Sequence, residues 1–220
     1  MKMRTDEEDF GTAGATPAHF GALKHYDPPL GPGAFVAVVG PSGSGKDTLI
    51  YRARDWFSGR DGIVFPRRMV TRPPEDVNED HISITEADYN RIVEDKDAAL
   101  TWRAHGLGYI VPSDVDAAIT SGAIVVANIS RMAVSDVIRN YARAVVVVVT
   151  APREVLAERL KARGRETPEE IASRLDRADY TLPPAPRMLM IDNVASPAKS
   201  SAKLINLIER LHLEVETMPL

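Results

Sequence analysis

From Val38 to Ile50 the chain reads "VVGPSGSGKDTLI", with Gly40, Gly43 and Gly45 alternating with Pro41, Ser42 and Ser44 ahead of Lys46. Glycines at this spacing let successive backbone N–H groups turn toward one centre, and a helix starting behind them adds its positive end. The result is a nest for an anion. Lys46 adds a point charge suited to the outer phosphates of a nucleotide, so Gly40 to Thr48 are the candidate nucleotide contacts. The residue after such a lysine ordinarily offers a hydroxyl to Mg²⁺; here it is Asp47, and the hydroxyl moves to Thr48. A carboxylate takes Mg²⁺ directly or through a water the ion retains. It is equally at home in the first turn of a helix, where the dipole favours it. Asp47 and Thr48 are therefore the candidate metal contacts, with a purely helical role for Asp47 left open.

Transfer of a phosphoryl group depends on positioning and on neutralising charge. Arginines stand in three separate segments that could do this: Arg67, Arg68 and Arg72; Arg103 and Arg131; and Arg159, Arg163, Arg165 and Arg174. Any one of them taken singly reads as a solvated surface charge. Together they suit a kinase that closes on two anionic substrates, with "LKARGRETPEE" as a lid over about residues 161–170. The guanine-reading "NKxD" and the phosphate-sensing "DxxG" of a GTPase switch are absent from the sequence.

The elements that must hold these residues follow from the apolar pattern. "AFVAVVG", "AIVVANI", "AVVVVVTA" and "RMLMID" are short β-branched-rich runs of the kind buried on both faces of a parallel sheet. Helices are predicted over Gly45 to Ser58, "RMAVSDVIRNYA", "PREVLAERLKAR", "PEEIASRLDRADY" and "SPAKSSAKLINLIERLHL". Thr167, Pro168 and Glu170 form a capping box, and Ser196-Pro197 repeats the cap-then-proline sign. The fold class is α/β: a central parallel sheet flanked by helices. The polar stretch of about residues 67–111 is predicted to be an inserted, acceptor-holding subdomain, and residues 1–33, acidic and rich in Gly and Pro, a flexible extension. Residues 34–215 then form the main domain. Asn128, Ser130 and Arg131 fall at the carboxyl end of a central strand, where such sheets bind ligands. Asn193 follows another strand, near where a nucleotide base should lie, or simply starts a turn.

The 220 residues, 44% of them hydrophobic, suffice for one sizeable core, and the net charge of −4 argues against coating nucleic acid. No cysteine is present for a disulfide or thiolate site, and the histidines are scattered without ligand-like spacing. With an acidic amino terminus and no apolar run long enough to span a bilayer, a cytoplasmic protein without membrane attachment is expected.

From Ala34 onward the sequence resembles the guanylate kinase-like kinases, which share the phosphate-loop (P-loop) NTPase fold. The resemblance is carried by "GPSGSGK", "VTRPP", "EDHISI", "TWRAHGLGY" and "RLKARGRETPEEIASRL" in the same order. By position it implies that Arg72 holds the acceptor phosphate and that His81, Thr101 and Tyr109 lie in the acceptor pocket. It also implies that Arg163, Arg165 and Arg174 clamp the phosphates of ATP. Four positions depart from that pattern: Thr101 replaces the guanine-reading carboxylate, Asn128 and Ser130 replace a pair of aspartates, and Glu75 replaces an arginine. Thr101 cannot accept from the guanine edge as a carboxylate does. The chain resembles more narrowly the ribose 1,5-bisphosphate phosphokinases of phosphonate degradation, through "GPSGSGKD", "VTRPP" followed by "EDH", "NISR" and "RGRE". Ile110 stands where those carry glycine, which would narrow the pocket. This resemblance implies transfer from Mg-ATP to a phosphorylated sugar, with Arg68 and Arg72 on one acceptor phosphate and Asn128, Ser130 and Arg131 on the ribose or the other. Related kinases make a homodimer an expectation. The alternatives are a guanylate or other nucleoside monophosphate kinase, and a non-catalytic interaction module, which would ordinarily lose the intact loop and lid.

Overall fold

A computed structural model describes residues 21–73, 80–104, 106–164, 167–176, 182–194 and 196–217. In chain order the elements are β1 (Ala34–Val39), α1 (Lys46–Trp56), β2 (Ile63–Val64), β3 (Arg68–Val70), β4 (His81–Ser83), α2 (Glu86–Glu94), β5 (Ala98–Ala104) and β6 (Leu107–Pro112). They continue with α3 (Asp114–Thr120), β7 (Ile124–Asn128), a 3-10 turn (Arg131–Ala133), α4 (Val134–Asn140), β8 (Ala144–Thr150), α5 (Arg153–Arg163), α6 (Pro168–Asp176), β9 (Met188–Asp192) and α7 (Pro197–Glu216).

The expected parallel sheet is present, in the order β2-β7-β1-β8-β9 with every neighbouring pair parallel. Its central strand β1 is fully buried, and its alternation divides the core in two. Val36 and Val38 pack with Leu49 of α1 and Leu204 and Ile208 of α7, whereas Phe35, Ala37 and Val39 pack with Val134 and Val137 of α4. Helix α6 opens on the expected capping box: Glu170 N–H donates to Thr167 Oγ1 at 3.3 Å, and Thr167 N–H to Glu170 Oε2 at 2.8 Å. Ser196 stands at the start of α7, but its side chain makes no capping bond.

The stretch after β2 builds a second sheet, β4-β3-β6-β5, in which β3 pairs parallel with β4 and antiparallel with β6. One face joins the main core through Val70, Leu100, Trp102 and Tyr109. The other carries α2, whose Tyr89 packs with Ala98 and Ile110. Ile110 thus lies on the helix side of the sheet and does not narrow the pocket, a correction that follows from β-strand alternation.

Residues 21–33 also depart from expectation. Rather than extending freely, they run along the domain. Gly21 exchanges backbone hydrogen bonds of 2.7 and 2.8 Å with Thr101, and Leu30 bridges to Asn140 and Ala142 at 2.8 and 2.9 Å. Tyr26 and Tyr141 both donate to the buried Asp116 carboxylate, at 2.6 and 2.7 Å. Burial, reinforced by Asp116, pushes both phenols well above their usual range. A Gly- and Pro-rich composition measures how little a segment buries against itself; it says nothing of what a neighbouring surface offers. The earlier part of the predicted extension lies outside the described residues. Among the described residues no helix is long and apolar enough to cross a membrane.

Gly108 marks a close approach between the second sheet and α2: a Cβ there would stand 2.6 Å from a Tyr89 ring carbon. Gly108→Ala should lower the unfolding free energy by about 1–3 kcal/mol through overpacking, measured by denaturant titration.

Candidate active site

The loop between β1 and α1 takes a shape that side chains would forbid. Gly40 has φ 147° and Gly45 φ 89°. A Cβ would stand 2.0 Å from the Val149 carbonyl at the first and 2.4 Å from Asn193 Nδ2 at the second. The loop is held from outside and within. Asn193 Nδ2 donates to the Ser44 carbonyl at 2.7 Å, while Arg159 reaches the Asn193 carbonyl at 2.8 Å and the Gly43 carbonyl at 3.4 Å. Lys46 Nζ donates to the Gly40 and Pro41 carbonyls at 2.9 and 3.0 Å. Ser44 is fully buried and is not among the residues that line the cleft, which corrects its assignment as a nucleotide contact.

Asn193 is 5% exposed and supports the loop from beneath. It is not among the residues that line the cleft, which corrects its assignment as a nucleotide contact. Arg159 belongs to the same support. Its place one helical turn before Arg163 was visible in the sequence, but the carbonyls it would meet were not.

In front of the loop lies a cleft of about 810 Å³. Arg68 and Arg72 enter it from β3 and the turn beyond, Tyr109 from β6, Asn128, Ser130 and Arg131 from the end of β7, Arg163 from the end of α5 and Arg174 from α6. Arg174 Nη1 is 3.5 Å from Ser42 Oγ. Trp102 and Tyr109 stack face to face on the cleft wall, with ring centres 5.3 Å apart and 2° between planes, and the Arg68 guanidinium lies 5.8 Å from the Tyr109 ring. Arg103, also on the wall, is paired with Glu86 at 2.8 Å, and that hydrogen bond holds the Glu86 carboxyl below the usual carboxylate range. Asp47 accepts from Asn128 Nδ2 at 2.6 Å and faces Arg68 Nη2 at 3.6 Å.

Several expected acceptor contacts lie elsewhere. Thr101 is fully buried, with its backbone bonded to Gly21 and its hydroxyl 3.4 Å from the Gly21 carbonyl. Its neighbour Trp102 faces the cleft instead, because strand alternation sends successive side chains to opposite faces. Finding Trp102 in advance required the cross-strand pairing of Trp102 with Tyr109. His81 pairs in register with Arg68 but is not among the cleft-lining residues; its ring lies 3.4 Å from Ser83 Oγ. Arg165 lies outside the described residues. Thr48 is exposed and opens onto a neighbouring cavity of about 310 Å³, shared with Arg54, Arg67 and Asp80. Arg54 holds the Asp80 carboxyl below the usual carboxylate range.

A glycine-rich loop ahead of a helix, a sheet facing it across a cleft and arginines brought in from α5 and α6 define a phosphate-loop kinase of the guanylate kinase-like fold. The guanylate kinase of Anaplasma phagocytophilum shares this architecture, with a TM-score of 0.57 over 84% of this chain and 88% of that one at 14% identity. The ribose 1,5-bisphosphate phosphokinase PhnN of Rhodopseudomonas palustris is 43% identical over 179 residues, 81% of this chain and 90% of its own. That of Brucella melitensis biotype 2 is 51% identical over 145 residues, 66% of this chain and 76% of its own. The chain belongs to the ribose 1,5-bisphosphate phosphokinase family, as its sequence motifs imply, and is an enzyme. No family model matches it.

Asn193→Ala would leave the Ser44 carbonyl without its side-chain donor. The expected outcome is a loss of about 1–3 kcal/mol in stability and a raised KM for nucleotide, with the ATP-to-GTP preference unchanged in steady-state assays. A shifted preference would restore Asn193 as a base-reading residue.

Proposed function

We propose that this kinase transfers the γ-phosphoryl group of ATP to the 1-phosphate of ribose 1,5-bisphosphate in the cytoplasm, giving 5-phosphoribosyl 1-diphosphate and ADP in phosphonate catabolism. The observation that carries this reading is the charge of the cleft. Among the described residues that line it, Asp47 is the one carboxylate, against Lys46, Arg68, Arg72, Arg103, Arg131, Arg163 and Arg174. A pocket for a nucleoside monophosphate needs a group that reads the base edge, and the one carboxylate here already accepts from Asn128. A doubly phosphorylated sugar needs cations on both sides of a polar ring.

An oxygen of the 1-phosphate attacks the γ-phosphorus, the bond to the β-phosphate bridging oxygen breaks, and that oxygen leaves with ADP. The acceptor is already an anion, so no strong base is required; the task is to screen two phosphates from one another and hold them in line. Lys46 and the loop amides take the donor phosphates. Arg72 and Arg68 take the reacting acceptor phosphate, and Arg131, Ser130 and Asn128 take the sugar or the second phosphate. Arg163 and Arg174, with Arg165 assigned from sequence alone, close over the transferred group and exclude water. Residues 34–215 constitute the kinase domain in this reading, with 67–111 as acceptor subdomain and 161–170 as lid.

Mg²⁺ would arrive with ATP and neutralise charge on its phosphates. Among the described residues there is no group of His, Cys, Asp or Glu that could hold a metal by itself. This suits an ion that keeps most of its waters and leans on phosphate oxygens. The Thr48 hydroxyl is an oxygen donor beside the loop; the Asp47 oxygen that faces Arg68 and accepts from Asn128 is not assigned to the ion.

Incubation with Mg-ATP and, separately, ribose 1,5-bisphosphate, GMP, AMP and UMP, followed by phosphorus NMR, tests the assignment. A diphosphate signal is expected with the sugar bisphosphate alone; transfer to GMP instead would make this a nucleoside monophosphate kinase. Lys46→Ala should lower kcat by about 100-fold or more with the fold retained by circular dichroism, and near-normal turnover would refute the role given to the loop.

A further inference from the structure

Asp47, the residue that sets this loop apart from those that place a hydroxyl after the lysine, stands where three elements meet. It belongs to the first turn of α1, Asn128 ends β7 of the main sheet, and Arg68 opens β3 of the second sheet. One oxygen, Oδ1, serves both partners: it accepts from Asn128 Nδ2 at 2.6 Å and lies 3.6 Å from Arg68 Nη2. All three residues border both the 810 Å³ cleft and the 310 Å³ cavity beside it, so together they form the partition between the two.

The energetics favour a structural use of the carboxylate. The Arg68 side chain is 12% exposed, so its charge is poorly solvated and poorly screened, and a guanidinium in that setting needs an anion near it. An amide such as Asn128 has two ways to face; a short bond to an acceptor chooses one. A serine hydroxyl at position 47 is too short and uncharged to do either. Conversely, a divalent ion bound directly to Asp47 would compete with a guanidinium for the same oxygen.

We propose that Asp47 is the positioning residue of the acceptor wall: through Arg68 and Asn128 it couples the phosphate loop to the second sheet and sets affinity for the acceptor, not for the metal. This rests on the functional reading above, in which Arg68 and Asn128 face the acceptor. It assigns the aspartate a purpose that a hydroxyl at that position cannot serve, and it makes the orientation of acceptor and donor depend on one shared carboxylate.

The test is steady-state kinetics of Asp47→Asn, Asp47→Ser and Asp47→Glu, varying acceptor, Mg-ATP and free Mg²⁺ in turn, with melting curves to confirm folding. The expected result is a KM for the acceptor raised by about tenfold or more, the equivalent of one charged hydrogen bond, with the KM for Mg-ATP and the Mg²⁺ titration close to wild type. Asp47→Glu should recover part of the loss. Arg68→Gln should be non-additive with Asp47→Asn in acceptor KM, since both remove one interaction. An unchanged acceptor KM, or a shift confined to the Mg²⁺ requirement, would overturn the proposal. Should the wild-type protein use GMP and not ribose 1,5-bisphosphate, the functional reading fails separately, and the same comparison with GMP as acceptor still decides the role of Asp47.

Discussion

A loop that turns its backbone N–H groups toward a common point cannot satisfy them internally, and it must take up backbone angles that most residues avoid. The rest of this molecule can be understood as what that one loop requires. Gly40 and Gly45 permit its course, but permission is not enough, since a flexible loop would lose its shape at the cost of whatever it binds. The shape is kept by Asn193, Arg159 and Lys46, each occupying a loop carbonyl. These supports come from the end of β9, from α5 and from the loop's own helix. They converge because β1, β8 and β9 lie side by side and parallel, which puts their carboxyl ends, and the helices that follow, at the same edge.

Charge is the second requirement. The chain as a whole is acidic, with a formal charge of −4, yet the surface in front of the loop is rich in arginine. Such a concentration of cations is costly to assemble, and the structure moderates it locally. Glu86 pairs with Arg103, and Asp47 faces Arg68. Asp80 pairs with both Arg54 and Arg67 in the adjoining cavity. Carboxylates so placed fix the orientation of the guanidiniums and limit their mutual repulsion, while the cleft as a whole stays attractive to phosphate.

The second sheet forms the wall of the cleft in front of the loop, and residues 21–33 help to secure it. Their backbone bonds to Thr101 on β5, while Tyr26 reaches the Asp116 carboxylate on α3, so a single segment is attached both to the inserted sheet and to the main domain. The carboxylate receives two phenol donors in a largely buried site, satisfying a charge that would otherwise be expensive there.

What could be read from the amino acids alone was whatever depends on neighbours in sequence. The glycine spacing of the loop, the β-branched runs of the parallel sheet, the capping box of Thr167 and the grouping of arginines are local patterns, and local patterns have local physical causes. The family was legible for the same reason, since its motifs are short and ordered. What required tertiary structure was every question of facing and pairing. Whether Thr101 or Trp102 meets the cleft turns on a strand register set by a partner strand. Whether Asn193 reads a base or supports a loop turns on Ser44, which is 149 positions away in the chain. Composition made residues 21–33 look loose, and only the surfaces of α3, α4 and β5 made them fixed. Asp47 shows the division most plainly: its type and place were evident at once, but its partners, Asn128 and Arg68, are brought to it only when two sheets close on one helix.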